Sequence, residues 1–85
     1  MAHAGLMMDA AALDAATMVG DFDEARLIAV EMVGTADRAG MRKVAESAAH
    51  LALALGPKGE RPIGAYGDCL HHLATSLDAA KPRHR

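Results

Sequence analysis

Apolar residues recur every three or four positions along most of the chain, the period of an α-helix rather than the two-residue alternation of a strand. The pattern is clearest over residues 22–38. There Ala25, Ile28, Ala29, Met32, Ala36 and then Ala39 form one face, with Asp23, Arg26, Glu31 and Asp37 off it. Leu27 and Val30 fall among those polar positions, away from the expected core. Gly34 lies inside the same helix, where it costs about 1 kcal/mol relative to alanine and leaves room for another helix to approach closely. Gly40 is the expected C-terminal stop.

The flanking segments carry the same period. Residues 4–19 allow two overlapping stripes, Leu6–Ala10–Leu13 and Met8–Ala12–Ala15/Ala16–Val19, either of which could be buried. Gly20 ends that helix, Asp21 is a good N-cap for the next, and Glu24 is spaced to complete a capping box. A third helix over 41–55 sets Met41, Val44, Ala45, Ala48, Leu51, Ala52 and Leu55 on its buried side. Arg42, Glu46 and His50 step along the opposite side, so that Glu46 can pair with Arg42 and with a protonated His50. Gly56-Pro57 stops it, and residues 56–61 read as the one substantial loop. Pro62 suits the first turn of a fourth helix, whose seam is Ile63, Tyr66, Leu70, Leu73, Leu77 and Ala80. The pattern predicts an all-α fold of about four antiparallel helices in two hairpins, one domain over 1–80, with residues 81–85 as a disordered basic tail.

Composition narrows this picture. With 85 residues there is room for one core, and a chain of that size buries only about two-thirds of its unfolded surface. Alanine is the commonest residue, and Phe22 and Tyr66 are the only aromatics. Alanine favours helix but buries little area, so leucines and six flexible methionines must fill the gaps. A core that thin is expected to gain stability from a partner chain or from a second copy in a homodimer. The net charge of −2, with both signs interspersed, excludes a basic nucleic-acid footprint. The single cysteine, Cys69, fits a reducing cytoplasm. No leader and no membrane-spanning run is expected from the pattern.

Two short segments look alike. Gly20-Asp21-Phe22-Asp23-Glu24-Ala25 and Gly64-Ala65-Tyr66-Gly67-Asp68-Cys69 each place glycine, an aromatic two positions on, an acid two beyond that, and then a small residue. From Gly20 to Gly56 the chain resembles a tetratricopeptide (TPR)-type helical repeat, with a partial second copy over 64–77. The glycine–acid–aromatic turn, the small Ala25 and the spacing to Gly40 carry the resemblance. It implies stacked antiparallel helix pairs that serve as a protein-interaction scaffold without catalytic residues. The chain departs from that family in carrying Ala16 and Ala52 where large aromatics are usual, and in its longer 56–61 loop; a compact antiparallel four-helix bundle built from the same helices is the alternative.

Chemical candidates are few. Asp68 and His72 are four apart and Cys69 and His72 three apart, so each pair shares a helix face and could ligate zinc if His50 came near. The plainer reading is a polar edge with a half-buried cysteine. Ala49-His50-Leu51 looks superficially like the phosphoacceptor segment of histidine phosphotransfer domains, but Ala52, Leu53 and Ala54 replace that family's lysine and glycine. The glycines around Lys58 lack phosphate-loop spacing and a preceding strand. Ser47 and Ser76 have no local base to activate them, and Asp9 and Asp14 lie about 140° apart on an ideal helix. Neither an enzyme nor a cofactor is expected. The expectation is instead a protein-binding module, with Leu27, Val30 and Gly34 as the contact residues and no nucleic-acid or membrane partner; the alternative is a histidine phosphotransfer-like or metal-binding helical bundle using His50 or His71/His72.

Overall fold

The computed structural model describes residues 2–62, Gly64 and residues 66–80. Four helices, α1 (Ala2–Met18), α2 (Phe22–Arg38), α3 (Arg42–Leu55) and α4 (Tyr66–Ala79), account for most of them. Among the described residues there is no strand, and no helix is long and apolar enough to cross a membrane.

The first two turns share one construction. At the end of α1, Asp21 N–H reaches back to Ala16 O (2.8 Å) and Gly20 N–H to Thr17 O (3.1 Å). At the end of α2, Met41 N–H reaches Ala36 O (2.8 Å) and Gly40 N–H reaches Asp37 O (3.1 Å). Both need a left-handed residue just past the helix, and Gly20 (φ 77°) and Gly40 (φ 74°) supply it without a Cβ penalty. The expected capping box is half made. Asp21 Oδ1 accepts from Glu24 N–H (3.2 Å), but the Asp21 N–H that Glu24 would take already serves the turn. Met41 is the N-cap of α3 rather than its first residue and makes no side-chain cap bond.

Such tight turns force antiparallel neighbours. α1 packs on α2, α2 on α3 and α3 on α4, while α1 touches α4 more lightly and closes the ring. A hydrogen bond from His3 Nε2 to Leu77 O (2.8 Å) ties the start of α1 to the end of α4. At the opposite end, Phe22 and Tyr66 meet edge to face, with centroids 5.6 Å apart and planes at 76°. The aromatics of the two look-alike segments therefore pack against each other.

The core gathers Leu6 and Leu13 from α1, Ile28 and Met32 from α2, Val44, Leu51 and Leu55 from α3, and Leu73 and Leu77 from α4, with alanines between them. Of the two stripes possible on α1, the one bearing Leu6 and Leu13 is buried. Met8, Ala12, Ala15 and Val19 of the other stripe face solvent, and only Ala16 is inside. A helix at the edge of a four-membered ring can bury one side, and two leucines remove more apolar area than the alternative. Ala39 is exposed because it lies past the last turn of α2.

α4 starts at Tyr66, not at Pro62, which lies in the connection. Gly64 adopts φ 131°, outside the range side-chain-bearing residues favour, and Tyr66 N–H donates to Gly64 O (2.9 Å). That tight turn breaks the helical path and resets it at Tyr66. Ile63 and the basic segment 81–85 lie outside the described residues. The expected Arg42–Glu46–His50 ladder is not formed. Among the described residues the one ion pair within 4 Å is Arg26–Asp23. Solvent-exposed pairs on a helix are worth only a few tenths of a kcal/mol, too little to hold three long side chains in register.

Candidate functional site

Leu27 and Val30 stand on the outer side of α2, 54% and 59% exposed. With Asp21, Asp23, Glu24, Arg26 and Lys58 they line an open groove of about 500 Å³ between α2 and the α3–α4 connection. Two apolar side chains and charges of both signs line it together.

One wall of this groove is held by Arg26, which is buried although it lies among the polar positions of α2. Its Nε and Nη2 donate to Leu55 O at 3.1 and 2.7 Å, and Nη2 also reaches Glu60 O. Nη1 pairs with Asp23 Oδ1 at 2.6 Å. The last carbonyls of a helix lack intrahelical donors, and the Gly56-Pro57 stop leaves Leu55 O in that position. A guanidinium from the neighbouring helix takes the place of a local cap. Asp23 Oδ1 also accepts from Gly59 N–H at 2.9 Å. That backbone bond, aided by Arg26 and Lys58, holds the Asp23 carboxyl below its usual value against the opposing pull of desolvation. The sequence pattern alone places Arg26 among surface charges. The signal that could have found it is its position four residues after Phe22 and three before Ala29, on a face that is otherwise apolar.

Gly34 is half-buried, yet no neighbouring helix approaches it. An added Cβ would meet only the tip of the Arg38 side chain, with Nη1 at 3.2 Å. Gly34 and Val30 share a second groove with Asp9, Glu31, Thr35 and Arg38, so the three expected contact residues lie along one outer surface of α2.

On the other side of the bundle, His50 of α3 comes into one open groove of about 440 Å³ with Asp68, Cys69, His71 and His72 of α4, above Ser47. The fold brings the sequence candidates for a metal to one place. Even so, among the described residues no three His, Cys, Asp or Glu side chains converge well enough to hold a metal ion. That groove has no lysine or arginine in its lining to balance a phosphate at His50. Ser47 and Ser76, far apart in sequence, share a hydrogen bond at 2.7 Å that joins α3 to α4. Among the described residues no buried side-chain polar atom lacks a partner.

No family model, curated protein or solved structure matches this chain.

Proposed function

We propose that this chain is a small helical module that binds another protein chain through apolar helix surface left open on the bundle. The observation that carries the reading is the exposure of Leu27 and Val30 in a groove that they line together with charged residues. An apolar centre within a polar rim is the anatomy of a protein interface. Affinity would come from removing that apolar surface from water, at about 25 cal/mol per Å² before the costs of association. The resemblance of residues 20–56 to tetratricopeptide-type scaffolds points to the same class of function.

Leu27→Asp is expected to weaken binding of a partner protein while leaving far-ultraviolet helicity intact, because Leu27 lies outside the core. Lost helicity would assign Leu27 a structural role instead. A photoreactive side chain at position 27 is expected to capture a protein in the native cell, whereas one at Thr75, on the far side of α4, is not. Equal capture from both positions, or none from position 27, would defeat the reading.

A further inference from the structure

The centre of the outward face of α1 is uncharged, and exposed Asp14 stands at its edge in line with Met7. Ala4, Met8, Ala11, Ala15 and Met18 follow one another at steps of four and three, the spacing of a heptad seam. All five are exposed, Met8 to 74% and Met18 to 86%. Met7, Ala12 and Val19 widen the band. Because Leu6 and Leu13 fill the core side, α1 is apolar nearly all round, the pattern of a helix that is buried on every side. Among the described residues nothing covers the outer half.

We propose that this face is covered by α1 of a second copy, running antiparallel, with the Ala11 side chains of the two copies meeting at the two-fold axis. This rests on the reading of the chain as a module that buries apolar helix surface, and it assigns the self-association surface to α1 rather than to Leu27. The seam is complementary to itself in that orientation. Reversal about Ala11 sets each Met18 level with Ala4 of the other copy and each Met8 one residue's rise, about 1.5 Å, from Ala15, so each long side chain of the seam has a short one as its nearest seam neighbour. A parallel pair would set methionine on methionine and alanine on alanine. Alternation of large and small across facing positions is what lets two helices interdigitate.

Area sets the strength. A helix of this length is about 25 Å long and about 10 Å across, so half its girth presents roughly 400 Å² per copy. The pair then buries about 800 Å², against the roughly 1,200 Å² at which stable interfaces begin. The dimer is therefore reversible and concentration-dependent. A lipid surface fits this face less well. Surface-bound helices carry lysine and arginine beside the apolar band, whereas α1 has neither and bears Asp9 and Asp14.

Sedimentation equilibrium across a wide concentration range tests the proposal. Wild-type protein is expected to shift from monomer towards dimer, and Leu27→Asp to do the same. Ala11→Glu, which brings two carboxylates together at the axis, is expected to raise the dissociation constant at least about tenfold. Met8→Lys and Ala15→Glu should each weaken the dimer. The double variant should restore it, because only the antiparallel register sets the introduced ammonium of one copy against the introduced carboxylate of the other. Far-ultraviolet circular dichroism confirms that each exposed-site variant still folds. A wild-type monomer at every concentration overturns the proposal, as does flotation with phosphatidylserine vesicles in place of dimerisation. A dimer that survives Ala11→Glu but not Leu27→Asp overturns it as well, while sparing the broader interaction reading. Failure of the double variant to recover overturns the antiparallel register.

Discussion

Arg26 joins three parts of the chain through one side chain: the last carbonyl of α3, the connection at Glu60 and the carboxylate of Asp23. Hydrogen bonds to a charged group contribute more than neutral ones, and Arg26 makes two of them to Leu55 O. Arg26→Ala is expected to cost about 2 kcal/mol, measurable as a lower urea midpoint with an unchanged slope. Asp23 adds a pH dependence of known sign. Its carboxyl is depressed in the folded chain, so its contribution is present above the ordinary value of 3.8 and is lost as pH falls through the lowered one. The Gly59 amide resonance should therefore move in a titration below about pH 4, and Asp23→Asn should abolish that step. Beyond the place of Arg26 between Phe22 and Ala29, none of this was legible in the sequence. A polar residue in an amphipathic pattern reads as solvent-facing, and the donor-starved end of another helix becomes its neighbour only after folding.

The helix boundaries, by contrast, could be read closely. Gly20, Gly40 and Gly56-Pro57 end α1, α2 and α3, because only glycine takes the backbone angles those turns need. The start of α4 escaped, since Pro62 is equally at home in a first turn and in an extended connection. The buried face of α1 escaped for another reason. Where alanine and methionine surround the helix, the period is present on every side and the hydrophobic pattern names no inside. Gly34 tests the element scale directly. With only the far end of the Arg38 side chain near its missing Cβ, Gly34→Ala should stabilise the isolated chain by about 0.5–1 kcal/mol, seen as a raised melting temperature. A loss of stability would show that the glycine is needed for packing within the bundle.

As a whole the molecule is held by few large side chains. Leu51, wholly buried on α3, is among the described residues one of eight large side chains that are fully buried. Leu51→Ala should cost about 2–5 kcal/mol, and a domain this small commands only about 5 kcal/mol in total. The variant is expected to be substantially unfolded in water at 25 °C by far-ultraviolet circular dichroism. Fold class followed from the sequence because period and turn chemistry act locally, and they agree along the chain. The candidate surfaces were less legible. Leu27 and Val30 stood out because they interrupt a polar face, whereas the outer band of α1 interrupts nothing.

The contact between Phe22 and Tyr66 also makes the protein its own spectroscopic probe. The chain has one tyrosine and no tryptophan, so its near-ultraviolet dichroism and intrinsic emission arise almost entirely at the end where α2 and α4 begin. A signal from that single ring, compared with backbone ellipticity during melting, would time the opening of one end of the bundle against the loss of helix throughout. Coincident curves would mean the four helices come apart together. An earlier tyrosine transition would mean that the bundle frays first at the end where the two aromatics meet.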